Sequence, residues 1–233
     1  MAATYLSQAA ISGADDMAEK KARRPRDPGA TREVILDAAL KHLAEYGPDG
    51  LSLSEVARLA GVNRGTAYQH FDTREKLIKA TIERVSERMR EAVFGGPEMA
   101  GERREQGAGP MEFTDRIARF GMENPELCRI WLFDLLSSED PSADPFWKEY
   151  ADSLGHFSRT EGAQKGVDSE VLSVILVASA FLWPVWAQAH DKDGKDRRAL
   201  ARRYARETLR LSLYGSMKAA YFPQIAERLA EED

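Results

Sequence analysis

Apolar residues recur at helical spacing through most of the chain, and the first clear stretch begins near position 31. A helix capped by Thr31 is predicted, and Gly47-Pro48 ends it. The apolar side of this helix consists of Ile35, Ala38, Ala39, Leu43 and Tyr46. No stretch alternates strictly between apolar and polar residues as a half-buried strand does. The pattern predicts an all-α protein of about nine or ten helices.

Two short helices and a tight turn are predicted between positions 52 and 71. Ser52, followed by Glu55 three residues later, has the spacing of a capping box and predicts a helix start. Gly61 can adopt left-handed backbone at little cost, so it ends that helix. Asn63 is then the N-cap of a second, polar helix. A helix, a glycine turn and a polar helix in this order are typical of a DNA-reading helix-turn-helix.

A long helix follows, and more helices are predicted beyond it. Thr73 begins the long helix, which reaches Phe94 and would measure about 33 Å at 1.5 Å per residue. Its apolar stripe is Ile78, Ile82, Val85 and Met89. A glycine-rich segment, 95–110, predicts a loop. Later helix starts are predicted at Asn124-Pro125, Asp144-Pro145 and Asp168, and a last long helix from Arg197 to about Tyr221.

Five characteristic segments lie between positions 30 and 80: Ile35-Leu-Asp-Ala-Ala39, Tyr46-Gly47, Ala60-Gly-Val-Asn-Arg-Gly-Thr66, Tyr68-Gln-His-Phe71 and Glu75-Lys-Leu77. In these segments the chain resembles the TetR family of bacterial transcriptional regulators. Caps, glycines and aromatic residues agree with the family in order and spacing. The chain departs from the family at Ala67, where a larger apolar residue is usual, and at Gln69, where His or Tyr is commoner. These departures concern the operator sequence and leave the fold unchanged.

The resemblance implies a sequence-specific DNA-binding regulator with three parts. These are a disordered basic arm (1–29), a helix-turn-helix domain (30–77, with the motif at 52–71) and a helical effector-binding and dimerisation body (78–233). The predicted function is a repressor released from its operator by a small apolar or aromatic effector. A ligand-dependent activator and a nonspecific DNA-binding structural protein are the alternatives. The predicted DNA-binding residues are Ser52, Ser54, Asn63, Arg64, Gly65, Thr66, Tyr68, Gln69, His70 and Lys76.

Charge separates a basic head from an acidic body. Positions 20–90 hold 15 basic and 10 acidic residues, whereas the rest holds 18 basic and 28 acidic residues, for a net charge of −5. A basic head attracts the phosphates of double-stranded DNA, and the acidic body argues against a nonspecific DNA-compacting protein. The arm either tracks DNA or is a solvated tail, and its basic residues are Lys20, Lys21, Arg23, Arg24 and Arg26. Met17 is an alternative start of the chain.

The sequence offers little that suggests catalysis, a metal or a cofactor. Cys128 is the only cysteine and is predicted to be a core residue rather than a redox sensor. The four histidines lack metal-ligand spacing. Neither a phosphate-binding loop nor a nucleophile elbow is present, so no enzyme activity is predicted. The amino terminus lacks the pattern of a signal peptide, which favours the cytoplasm.

The uncharged stretch Val171–Ala187 is predicted to be a helix buried against other helices. At seventeen residues it falls short of a membrane span, which needs about twenty apolar residues. The family resemblance implies a homodimer in which the last two long helices pair with their copies. The predicted interface therefore lies around Leu172–Trp186 and Leu200–Tyr214. Such a dimer would bind a palindrome-like operator.

The aromatic residues of the body are either ordinary core or the lining of a ligand cavity. Pro184 lies inside a predicted helix, where proline removes a hydrogen bond and bends the backbone. Trp183 and Trp186 flank it, so a gap is predicted there. The predicted cavity residues are Phe113, Phe120, Trp131, Phe146, Trp147, Trp183 and Trp186. An apolar, aromatic-rich effector is expected.

Overall fold

The computed structural model describes residues 27–48, 50–95, 109–190 and 196–231. The predictions for the basic arm, for a start at Met17 and for most of the glycine-rich segment fall outside these residues. Ten α-helices and two short 3-10 helices make up the described part, in which the only β-type pairing is an isolated bridge between Ala163 and Met217. The prediction of an all-α protein with nine or ten helices is confirmed.

Four helices form the head and its connection to the body: α1 (Pro28–Tyr46), α2 (Leu53–Leu59), α3 (Arg64–His70) and α4 (Arg74–Phe94). Asp27 caps α1 by accepting the N–H of Gly29, and Pro28 is the first helical residue. Thr31 is therefore not the cap, because Asp27-Pro28 supplies an earlier start signal. Tyr46 is 63% exposed and does not belong to the buried side of α1.

Six helices form the body: α5 (Pro110–Glu123), α6 (Pro125–Ser137), α7 (Pro145–Ser158), α8 (Ser169–His190), α9 (Arg197–Gly215) and α10 (Pro223–Glu231). The 3-10 helices are Pro141–Ala143 and Ala219–Tyr221. Helix α9 ends at Gly215 and not near Tyr221. Beyond its end the backbone turns to pair with another segment, because Gln164 donates to the carbonyl of Ser216 and Lys218 to that of Gly162.

One hydrophobic cluster runs from the head into the body. Its body part contains Trp131, Phe146 and Phe181, all nearly or fully buried. The Trp131 ring meets Phe146 edge-on at 5.4 Å and Phe181 at 5.2 Å, an arrangement that aromatic pairs favour. Cys128 is fully buried, as predicted, and burial raises the pKa of its thiol far above the usual range.

Helix α4 joins the head to the body. In the head, Arg84 pairs with Glu33 and Asp37 of α1. In the body, the Ser86 hydroxyl accepts the N–H of Phe146 at 3.0 Å, and Arg90 pairs with Glu149 of α7 at 3.2 Å. These contacts attach α4 firmly to both parts of the molecule.

Helix α8 is buried on one side only. The buried side includes Val177, Phe181 and Pro184, whereas apolar residues on the other side are about half exposed: Val171, Val174, Ile175, Leu182 and Trp186. By length and composition α8 is the one helix of the described part that could cross a membrane, and 33% of its most apolar window is buried. The prediction of a helix buried against other helices thus holds for one face.

Helix α5 packs closely against Pro184. A Cβ added at Gly121 of α5 would lie 2.8 Å from the Cγ of Pro184 and 3.2 Å from the carbonyl oxygen of Ala180. Helix α5 therefore approaches the bend of α8 through a residue without a side chain. On the side of α8 that faces Gly121, the backbone of α5 occupies the space expected beside Pro184.

We expect Gly121→Ala to lower the free energy of unfolding by about 1–3 kcal/mol, the usual cost of overpacking a tight core. Urea unfolding of the purified protein measures the change. Gly215→Ala is the matched control, because a Cβ there meets nothing within 4 Å. Equal losses in the two variants would contradict a close contact between Gly121 and Pro184.

Candidate nucleic-acid interface and body cavity

The turn between α2 and α3 has a defined geometry. The Ser52 hydroxyl accepts the N–H of Glu55 at 3.2 Å, whereas the Glu55 carboxylate pairs with Arg58, so only half of the capping box forms. At the other end, Val62 donates to the carbonyl of Ala57 and Gly61 to that of Arg58. Gly61 has a φ of +64°. This is a Schellman motif, and it fixes the direction in which the chain leaves α2.

Helix α3 presents its polar residues outward. The side-chain oxygen of Asn63 accepts the N–H of Thr66 at 2.7 Å and its hydroxyl at 3.0 Å, which fixes the first turn. Ala67 is the one residue of α3 that is buried, with no exposed surface. Because α3 contacts the core through the small methyl group of Ala67, the helix lies close against its neighbours. The opposite face is free to meet a partner.

The ten predicted DNA-binding residues lie on three neighbouring segments. Ser52 and Ser54 are at the start of α2, Lys76 is in the first turn of α4, and the others follow one another along α3 from its N-cap. Eight of the ten are exposed, and Thr66 and His70 are half-buried. The structure thus brings these residues together on the helix-turn-helix and on the first turn of the helix that follows it.

Two cations on this surface already have contacts within the chain. The Arg64 guanidinium lies 5.4 Å from the centre of the Tyr68 ring, a cation–π distance. Lys76 pairs with Asp72 one turn earlier. Both side chains of the Lys76–Asp72 pair are more than 60% exposed, so the pair adds little stability and can be exchanged for a phosphate.

Sequence reasoning missed Arg74, which supports the motif from behind. Its guanidinium donates to the carbonyl of Leu51 at 2.9 Å and also to the carbonyl of Pro48. These carbonyls belong to the loop before α2, so Arg74 holds the start of α4 to the start of the helix-turn-helix. No local pattern could have revealed this, because the partners stand more than twenty positions away.

The body holds a cavity of about 220 Å³ between α5, α7, α8 and α9. Of the seven predicted cavity residues, only Phe113 lines it. Its apolar lining also includes Ile117, Leu154, Leu172 and Leu176. The hydroxyl-bearing residues around it are Thr114, Tyr150, Ser153, Thr160, Tyr204, Thr208, Ser212 and Ser216.

The other six predicted residues lie elsewhere. Phe120, Trp131 and Phe146 are buried in the core, where they pack against other side chains, and Trp147 is half-buried at its edge. Trp183 and Trp186 stack on each other at 5.7 Å near the end of α8, where Trp186 is 51% exposed. These six residues do not line this cavity, and the buried rings among them fill the space around them.

The chain matches bacterial regulatory proteins in its head. A family model described as "Bacterial regulatory proteins, tetR family" matches residues 35–81. The HTH-type transcriptional regulator BetI of Rhizobium meliloti (strain 1021) is 30% identical over 101 residues, which are 43% of this chain and 48% of BetI. A transcriptional repressor of Mycobacterium tuberculosis (strain ATCC 25618 / H37Rv) is 32% identical over 107 residues, 44% of this chain and 57% of that protein. The chain thus spans about half the length of these relatives.

Solved structures match the whole fold. The crystal structure of a γ-butyrolactone receptor (ArpA-like protein) covers 89% of this chain and 100% of its own, with a TM-score of 0.59 and 23% identity. A TetR family transcription regulator from Marinobacter aquaeolei VT8 covers 76% and 94%, with a TM-score of 0.59 and 21% identity. At such identities the likeness concerns the fold alone.

The relatives are transcriptional regulators, which confirms the prediction that this chain is not an enzyme. The match at residues 35–81 includes α2, the glycine turn and α3, whose geometry is that of a helix-turn-helix. The helical body follows the architecture of TetR-family structures. Residues 35–81 thus match bacterial regulatory proteins of the tetR family, and the fold of the chain resembles that of solved TetR-family structures.

Proposed function

We propose that this regulator is a cytoplasmic repressor that binds a palindrome-like operator as a homodimer and leaves it when a small effector enters the body. Its parts are the helix-turn-helix domain (30–77) and the effector-binding and dimerisation body (78–233). The observation that carries the proposal is the exposed polar face of α3, held in place by buried Ala67 and by the Gly61 turn. One relative, from Mycobacterium tuberculosis, is described as a repressor, which favours repression over activation.

Helix α3 lies in the major groove in this proposal. Arg64 and Gln69 are exposed and can reach base edges, where Arg favours guanine and Gln favours adenine. The Thr66 hydroxyl is already engaged by Asn63, so it contributes less to base reading. Tyr68, His70 and Lys76 contact phosphates, and Ser52 and Ser54 meet the backbone at the start of α2.

We expect Lys76→Ala to weaken binding about equally for all DNA sequences and to reduce the salt slope of log K by about one unit, because one phosphate contact is lost. Arg64→Ala should instead relax the preference at one base pair, at a cost of about 1–3 kcal/mol. Fluorescence anisotropy with operator variants at several salt concentrations measures both effects.

Lys148→Ala is the control for the lost charge, since Lys148 is exposed on α7 of the body. Its binding curves should match those of the unmodified protein. Unchanged operator binding in both Lys76→Ala and Arg64→Ala would refute the assignment of the head surface.

The exposed apolar faces of α8 and α9 support a homodimer. On α9, Leu211 is 75% exposed and Tyr214 is 74% exposed. On α8, the half-exposed residues around Ile175 form a similar face. Large exposed apolar patches mark interaction sites, and interfaces of obligate dimers resemble a core cut in half. A second copy of this chain would cover both faces.

We expect Leu211→Asp to give a folded monomer, because the carboxylate would be solvated in one subunit but buried without a partner in the dimer. Multi-angle light scattering at micromolar concentration measures the mass, and circular dichroism checks the fold. Leu136→Asp is the control, since Leu136 is 84% exposed on α6. Val177 is unsuitable for this test because it is buried within the subunit.

A stable monomer in the unmodified protein would rule out the homodimer. A dimer that persists in Leu211→Asp would instead move the interface away from this part of α9.

The body cavity is the effector site in this proposal, and α4 transmits the signal. The crystal structure with a matching fold is described as a receptor for a small lactone, which supports a ligand-responsive body. Helix α4 packs against α5 and α7, which line the cavity, and reaches the head through Arg84. A ligand that stabilises a different tilt of α4 would also stabilise an arrangement of the two heads that no longer fits the operator.

Any compound that binds the cavity should bind operator-bound protein more weakly by about 5- to 150-fold, the factor by which it weakens DNA binding. Isothermal titration of compounds found by thermal shift, with and without operator, measures this reciprocity. Identical affinities in the two titrations would show that the body does not regulate the head.

A further inference from the structure

The cavity is built for a ligand without charge. Among the described residues that line it, none is Asp, Glu, Lys or Arg, and His156 is exposed on α7. An ion moved from water into such a cavity would lose its hydration and find no opposite charge. The lining combines apolar side chains with hydroxyl groups, which can hydrogen-bond a neutral molecule.

Several of the hydroxyls that line the cavity are already engaged. Thr114 donates to the carbonyl of Pro110 at 2.7 Å, and Thr160 donates to that of Phe157 at 2.8 Å. The Tyr204 hydroxyl lies 2.9 Å from that of Ser179. These hydroxyl groups already form hydrogen bonds within the protein, so they are poor anchors for a ligand.

Tyr150 differs from them. It is 2% exposed, and its hydroxyl makes no hydrogen bond with any other residue of the described part of the chain. Its ring is fixed by Phe113 at 5.6 Å and by Phe146 at 5.9 Å. Burial raises the pKa of Tyr150, so the hydroxyl keeps its proton and remains a donor. Tyr150 lines the cavity, so its hydroxyl is a donor available to a ligand there.

We propose that the Tyr150 hydroxyl anchors the effector by donating a hydrogen bond to a carbonyl-type oxygen of a small uncharged molecule. This inference rests on the proposed function, since it takes the cavity as the effector site. An apolar cavity of about 150 Å³ holds benzene. The cavity of about 220 Å³ therefore accepts a single substituted ring or a short chain, such as an aryl ketone or a lactone.

Four probes of similar size test the required chemistry. Acetophenone has a ring and a neutral carbonyl, ethylbenzene lacks the oxygen, and benzoate and benzylammonium carry opposite charges. Titration calorimetry or ligand-observed NMR gives the affinities for the full-length protein. Acetophenone should bind most tightly, ethylbenzene more weakly, and the two ions should not bind.

Tyr150→Phe removes only the hydroxyl. Acetophenone should then bind roughly 3- to 10-fold more weakly, the value of one ordinary hydrogen bond, while ethylbenzene should be unaffected. The unliganded variant should melt at about the same temperature, because the protein loses no hydrogen bond of its own. Tyr204→Phe is the matched control. It should melt at a lower temperature, because it loses its contact with Ser179, and it should keep the preference for acetophenone over ethylbenzene.

Three results would overturn the inference: equal losses for acetophenone and ethylbenzene in Tyr150→Phe, binding of an ion in preference to acetophenone, or no binding of acetophenone, cyclohexanone and γ-hexalactone at millimolar concentration. A different result would refute the proposed regulation. If acetophenone binds through Tyr150 but leaves operator affinity unchanged, the role of Tyr150 in binding is supported and the repressor mechanism is refuted.

Discussion

One helix belongs to both functional parts of this molecule, and everything else is arranged around it. Helix α4 buries Leu77, Val85, Met89 and Val93 in a hydrophobic cluster that continues from the head into the body. Charged contacts attach its sides to α1 and to α7. Close-packed interiors resist gradual deformation and pass from one arrangement to another as units. A change in the body that displaces α4 must therefore displace the head.

Local chemistry made the head predictable. The caps at Ser52, Asn63 and Thr73 and the turn at Gly61 each depend on residues within a few positions, and all four form, although Glu55 pairs with Arg58 instead of completing the capping box. The start of α1 is the exception, because Asp27-Pro28 competes with Thr31 as a start signal and lies earlier in the chain.

Long-range packing made the cavity unpredictable. Its walls come from four helices, and which aromatic residues face it depends on how those helices approach one another. Gly121 illustrates the point, since its missing side chain lets α5 contact Pro184 and closes the gap expected there. Tyr150 stands in an ordinary apolar stripe in the sequence, and only the fold reveals that its hydroxyl has no partner.

The two bonds from Arg74 to the loop before α2 have a consequence for how such a regulator can evolve. They make the start of α4 and the helix-turn-helix one rigid piece, so a movement of α4 carries the reading surface along without reshaping it. In the proposed dimer, what changes is the separation between the two heads, which must match the separation of the half-sites. Under that proposal, recognition of bases and response to a signal reside in different residues, and mutation can alter either one while the other is kept.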